Sequence, residues 1–271
     1  MLRIVLGIAA VYLLVVALLF VFQRRVIYHP GPIQAEPGQY GAADMRVVSL
    51  NTSDDLELVA WWRPPPQKNA PVLVYFHGNA GNIGGRASKA RPYLDAGWGV
   101  LLTSWRGYSG NPGNPTEQGL YSDARAALKF LAENGVSREN IVLYGESLGS
   151  GVAVQMAFES RPAFRALVLE APYSSIIDIA ARRFPFAPAR WLVRDQFDSI
   201  TKIAGIHIPV LVVHGERDEV IPVEFGRALF DAANAPKAGK FFPAAGHNDL
   251  YEHGAAGMII EFVDEIPKKI S

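Results

Sequence analysis

The sequence predicts an α/β fold with a mostly parallel sheet, set behind one N-terminal membrane helix. Three observations predict it: an unbroken apolar run from Ile4 to Phe22, short apolar segments alternating with helical ones from Val72 onward, and a glycine-framed serine where one strand passes into one helix. The 271 residues suit one large domain or two small ones, and a 49% hydrophobic, 19% charged composition excludes global disorder. Lys plus Arg number 26 and Asp plus Glu 26, so there is no net field to hold nucleic acid, and none is expected as a partner. Cysteine is absent, which excludes a disulfide scaffold, a thiol nucleophile and every thiolate metal site. Covalent catalysis needs another nucleophile.

The apolar run holds only Tyr12 and Gly7 as exceptions, and its roughly 19 residues at about 1.5 Å each match a hydrocarbon core. It ends in Phe20-Val21-Phe22-Gln23-Arg24-Arg25 with no small-residue cleavage site, so residues 1–25 read as an uncleaved single-pass anchor. Arg3 with the amino terminus balances Arg24-Arg25, which leaves the side of the membrane open. Residues 26–43, rich in Pro and Gly from His29 to Gly38, read as a linker, and 44–271 as the folded domain.

Within that domain, Met45–Leu50 and Leu56–Arg63 flank a polar turn and predict a hairpin. The strands expected next are Val72–His77, Val100–Trp105, Ile141–Gly145, Ala166–Glu170, Val210–His214 and Gly239–Pro243. Helices are expected over Thr116–Asn134, Leu148–Ser160, Val223–Ala233 and Tyr251–Glu265. A stretch at about 174–206, with Phe184, Phe186 and Trp191, breaks the alternation and reads as a cap over a site.

Three strand ends carry one chemistry. Gly145-Glu146-Ser147-Leu148-Gly149 follows a strand and opens a helix, the context in which two glycines permit a tight turn that exposes a strained serine hydroxyl. Such a serine needs a base, and the base needs an orienting acid. In the order Ser, Asp, His, the acid follows a late strand: Val210–His214 runs into Gly215-Glu216-Arg217-Asp218, with Asp218 as candidate and Glu216 as near rival. The last strand leads to Gly246-His247, the candidate base. His77-Gly78-Asn79-Ala80-Gly81-Asn82 lacks the Gly-x-Gly spacing of a dinucleotide loop and reads as an oxyanion loop, with backbone N–H groups from Asn79 and Leu148 as the two donors. His214 ends a strand and carries a plain structural reading.

These segments, together with Arg106-Gly107-Tyr108, Gly113-Asn114-Pro115-Thr116-Glu117, Glu219-Val220-Ile221-Pro222 and Asn248-Asp249, resemble the α/β-hydrolase superfamily, specifically its small membrane-anchored branch related to the protein depalmitoylases. The resemblance covers nearly the whole chain. It implies an eight-stranded sheet whose second strand is antiparallel, and Ser147, Asp218 and His247 as triad. Relatives usually carry Asp-Tyr before Arg-Gly where this chain has Ser104-Trp105, a change that bears on the support of the oxyanion loop and on no triad position.

The expectation is a membrane-anchored serine hydrolase that cleaves a small-molecule or lipid acyl ester or thioester through an acyl-enzyme, with no metal or organic cofactor. Its alternatives are a serine peptidase and a catalytically inactive hydrolase-fold binding protein. Trp105, Tyr173, Phe184, Phe186 and Trp191 are candidates for an acyl pocket, and the oligomeric state is open.

Overall fold

The computed structural model describes residues 1–31, 36–160 and 164–267. Eight strands form one sheet: β1 (Arg46–Asn51), β2 (Glu57–Arg63), β3 (Val72–Phe76), β4 (Gly99–Leu102), β5 (Ile141–Glu146), β6 (Ala166–Glu170), β7 (Val210–Gly215) and β8 (Lys237–Phe242). They lie in the order β8-β7-β6-β5-β3-β4-β2-β1. β2 runs antiparallel to both of its neighbours and every other pairing is parallel. The expected strands are all present, with ends moved by a few residues.

Period-two alternation decides which layer each strand residue enters. Val72, Val74 and Phe76 of β3 join one core layer, while Leu73 and Tyr75 join the other. Helices α3 (Glu117–Glu133), α4 (Leu148–Glu159) and α8 (Val223–Ala232) cover the first layer, contributing Leu120, Val152 and Leu229. Helices α2 (Ala87–Asp95) and α9 (Ala255–Glu265) cover the second through Tyr93 and Ile259. Thr116 caps α3 by accepting the Gly119 N–H at 2.9 Å, where the sequence placed the helix start. The last helix begins at Ala255 and not at the expected Tyr251, because Gly254 takes φ +90° and no helical turn continues through that conformation.

The cap holds α5 (Ile176–Arg183), α6 (Ala189–Leu192) and α7 (Ile200–Ile203). Helix α1 (Leu2–Ile27) stands outside the core and buries none of its residues. Its half-buried positions, Val16, Leu19, Phe20, Gln23 and Ile27, recur every three or four residues, so one stripe of the helix faces the cap. Gln23 Nε2 donates to the Leu192 carbonyl at 3.1 Å, and the Arg194 N–H returns a bond to Gln23 Oε1 at 2.8 Å. Arg24 pairs with buried Asp195 at 2.8 Å, and Asp195 also accepts the Glu117 N–H at the positive end of α3.

The stretch expected to be a linker is docked where it is described. His29–Pro30 lies parallel to Ala80–Gly81, with His29 N donating to the Asn79 carbonyl at 2.9 Å and Gly31 N to the Gly81 carbonyl at 2.8 Å. Pro30 lacks an N–H, and the pairing spares it by using the residues on either side. Residues 32–35 of that stretch lie outside the described residues.

Deleting residues 1–18 leaves every one of these docking bonds in place, so the product should stay in the supernatant without detergent and melt within a few degrees of the full chain. Deleting through Gly31 removes all five of the bonds just named, worth ~1 kcal/mol each, which in a domain of this size lowers Tm by roughly 15 °C. Equal melting of the two truncations would mean that the docked segment contributes nothing.

Candidate active site

Ser147 sits between β5 and α4 at φ 50° and ψ −117°, a conformation that costs energy for any residue with a Cβ. Its neighbours show why it is held. A Cβ on Gly145 would meet the Ser150 Cα at 2.5 Å, and one on Gly149 would run into the Phe76 carbonyl. Only bare backbone lets α4 turn so sharply against the end of β3. The Ser147 N–H donates to the Glu170 carbonyl at 2.9 Å, which ties the turn to β6 as well.

The loops after β7 and β8 bring two further side chains to it. His247 Nε2 lies 3.1 Å from Ser147 Oγ, and His247 Nδ1 lies 2.7 Å from Asp218 Oδ2. Glu216, the rival acid, faces away and pairs with Arg227 at the surface. Asp218 is saturated: Oδ1 accepts the Val220 and Ile221 N–H groups at 2.8 and 2.7 Å, and Oδ2 accepts from both His247 and His214. Burial alone would raise the Asp218 pKa, but the bonds from His214, His247 and the Ile221 amide outweigh it and hold the carboxyl well below its ordinary range.

The oxyanion loop lies directly against the elbow, because a Cβ on Gly78 would stand 3.4 Å from the Ser147 Cβ. Among the described residues, neither the Asn79 nor the Leu148 backbone N–H donates to another group. Several neighbours fix the loop. Trp105 Nε1 donates to the His77 carbonyl at 3.0 Å and Tyr108 Oη to the Asn79 carbonyl at 2.9 Å, so Trp105 supplies support at the position where the resemblance expected a tyrosine. His77 is buried, and desolvation followed by the nearby Arg86 charge lowers its pKa to about 3. It stays neutral and donates from Nδ1 to the Gly78 carbonyl at 2.7 Å. Asn79 turns its side chain to the end of α1, donating to the Ile27 carbonyl at 3.0 Å.

Behind the elbow lies a buried ionic cluster that sequence reasoning missed. Arg86 reaches Glu146 Oε1 at 3.1 Å and the Ala80 carbonyl at 2.9 Å, clamping the oxyanion loop to the residue before Ser147. Lys89 bonds Glu170 at 2.6 Å and Tyr75 bonds Glu146 at 2.8 Å. Burial raises the Glu146 pKa, yet the Lys89 and Arg86 charges more than reverse it, leaving Glu146 ionised. His214 was also missed as a site residue. Its signal was an acid four positions later, on the loop that follows the same strand.

Of the candidate acyl-pocket aromatics, Trp105 and Tyr173 are fully buried, while Phe186 and Trp191 are exposed. Phe184 lines an apolar cavity with Leu19, Val26 and Ile27 of α1 and Ile176 and Ala180 of α5. The Ile27 end of that cavity is the end bonded to Asn79.

An eight-stranded sheet with a serine elbow after β5 and an acid and histidine after β7 and β8 defines the α/β-hydrolase fold. A family model described as alpha/beta hydrolase fold matches residues 71–195. An uncharacterized protein of Mycobacterium tuberculosis is 40% identical over 231 residues, 84% of this chain and 81% of the relative. Protein bem46 of Schizosaccharomyces pombe is 32% identical over 277 residues, 94% and 90% of the two chains. Alpha/beta hydrolase domain-containing protein 17B of Homo sapiens is 34% identical over 188 residues, 68% of this chain and 62% of that one. Among solved structures, an esterase of Pyrococcus furiosus superposes with a TM-score of 0.69 at 18% identity, over 89% of this chain and 98% of the other. The chain belongs to the α/β-hydrolase family.

Three buried groups of the site make stability depend on pH in the same direction. The folded pKa of His77 lies below its ordinary 6.5, and those of Glu146 and Asp218 below 4.5 and 3.8, so the unfolded chain binds more protons throughout the acid range. The stabilisation from His77 is therefore complete above about pH 6.5 and that from the carboxylates above about pH 4.5, and each is lost as pH falls further. Urea titrations should show unfolding free energy falling from pH 6.5 downward. His77→Asn should flatten the upper part of the profile and Asp218→Asn the lower part; a flat wild-type profile would contradict both assignments.

Proposed function

We propose that this hydrolase is a membrane-anchored serine esterase or thioesterase that acts on hydrophobic acyl substrates through an acyl-enzyme. The observation that carries the reading is the continuous hydrogen-bonded line from Ser147 through His247 to Asp218, with Ser147 held at a strained turn. Ser147 Oγ attacks the acyl carbonyl while His247 Nε2 takes its proton. Asp218 accepts the Nδ1–H of His247 throughout, which keeps Nε2 free as the base and stabilises the imidazolium. The carbonyl oxygen becomes an oxyanion facing the Asn79 and Leu148 N–H groups, each worth roughly 3 kcal/mol in a comparable site. Collapse expels the alcohol or thiol with the proton from His247. Water then repeats the sequence and releases the acid.

The acyl preference rests on the apolar cavity beside the oxyanion loop, whose walls, Gln23 apart, are aliphatic and aromatic side chains of α1 and the cap. The membrane assignment rests on α1, a 26-residue helix with no buried residue and a mean hydropathy of 3.1 in its most apolar window.

A fluorophosphonate probe should label the full-length protein at Ser147, and Ser147→Ala should abolish labelling without lowering Tm. Labelling that persists in that variant would remove the elbow from the mechanism. A folded wild type that never labels would point to a binding protein.

Asp218→Asn should lower kcat on a short acyl ester by about 10⁴-fold, whereas Glu216→Gln should leave it nearly unchanged. Esters and thioesters of increasing chain length, assayed beside peptide amides, report the substrate class. The expected result is a kcat/KM that rises with acyl length, and preferential turnover of the amides would favour a peptidase.

A further inference from the structure

The cap carries a surface that catalysis does not use. Trp191, on α6, is 83% exposed, and Phe186, on the short segment that joins α5 to α6, is 51% exposed. Four exposed arginines, at positions 182, 183, 190 and 194, flank them in the chain. This face lies beside the apolar helix, since Arg194 stacks over the Phe20 ring at 4.2 Å and Leu192 bonds Gln23.

One bond fixes its depth. Tyr12, one of only two exceptions in the apolar run, donates from its hydroxyl to the Phe186 carbonyl at 2.9 Å. In water such a loop carbonyl needs no partner, because solvent supplies one; in hydrocarbon an unpaired carbonyl costs several kcal/mol, and the donor must come from the protein. Tyr12 precedes Leu19, where the cavity wall of α1 begins, by seven positions. At about 1.5 Å per residue Tyr12 stands roughly 15 Å from the Phe22 end of the apolar run, so the Phe186 loop follows α1 well past the boundary of the hydrocarbon that the run would span.

We propose that the cap tip, from Phe184 to Trp191, is a second membrane-contacting element beside α1: Phe186 and Trp191 sink into an anionic phospholipid bilayer, and the long side chains of Arg182, Arg183, Arg190 and Arg194 reach back to the headgroup phosphates. The inference rests on the reading of α1 as a membrane anchor and adds a contact that α1 alone does not require. Tryptophan and arginine are the residues that this boundary selects, one for its amphipathic ring and the other for phosphate pairing. The consequence for the proposed chemistry is geometric. The cavity between α1 and α5 would then open at the lipid surface.

The protein carries its own reporter. Of its five tryptophans, Trp61, Trp62, Trp98 and Trp105 are buried and Trp191 alone is exposed. The full chain, reconstituted in phosphatidylcholine–phosphatidylglycerol vesicles, should lose the larger part of its Trp191 emission when the lipids are brominated high on their acyl chains. Trp191→Phe identifies that component by difference, and aqueous iodide should barely quench it. Vesicles of phosphatidylcholine alone, or replacement of the four arginines by glutamine, should reduce the bromine effect. Emission from Trp191 that is quenched by iodide and indifferent to bromine, in protein that resists an alkaline carbonate wash, overturns the cap contact while leaving the anchor intact. Loss of the whole protein in that wash overturns the anchor and the cap contact together.

Discussion

The site depends on one close approach of backbone to backbone, where the start of α4 meets the end of β3. Gly149 lies so near the Phe76 and His77 carbonyls that no side chain fits between them. That contact forces Ser147 into its unfavourable φ and ψ, raises its hydroxyl above the sheet, and brings the first N–H of α4 beside the oxyanion loop. The strain, of order 1–3 kcal/mol, persists because the turn is held from three strands at once. Any residue larger than glycine would separate β3 from α4 and pull Ser147 away from the loop that carries Asn79.

The ionic cluster behind the elbow is the electrostatic counterpart of that steric constraint. Burying Glu146 and Glu170 would be costly alone, yet Arg86, Lys89, Tyr75 and Tyr144 supply enough donors to satisfy them. Such a cluster is weak evidence of net stabilisation. Its geometry matters more, because the Arg86 fork joins a carboxylate at the elbow to a carbonyl of the oxyanion loop. Two segments that must meet within a few tenths of an ångström are thus coupled by charge as well as by packing.

How much of this was legible in the sequence follows from the range of each interaction. The elbow is local, and its five residues with a strand before and a helix after expose Ser147 directly. The order of strand ends led to Asp218 and His247, but the choice between Asp218 and Glu216 turns on loop register, which no spacing reveals. Contact with His247 decides it. Arg86 acts on Glu146, sixty positions away, and leaves no periodic trace. His214 ends a strand, where its direction depends on the layer that its neighbours occupy. The Pro/Gly stretch after α1 lacked an apolar period and read as a linker, because a two-residue parallel pairing to a loop has no sequence pattern of its own.

That docked stretch changes how the helix and the site relate. A free linker would let the domain tumble at the end of α1 and would make the helix a tether only. Here the last carbonyl of α1 accepts a bond from the Asn79 side chain, and His29 binds the Asn79 backbone carbonyl. Asn79 thus has its side chain committed to the helix, while its own N–H has no partner among the described residues. Arg24, through Asp195, reaches the N-terminus of α3, so the same helix end is braced at a second point. Two fixed points define an angle between helix and sheet, and a defined angle orients the mouth of the site relative to whatever surface holds α1. On the proposed function, a substrate with its acyl chain in that surface would meet Ser147 at an approach set before binding, which lowers the entropy that the encounter must give up.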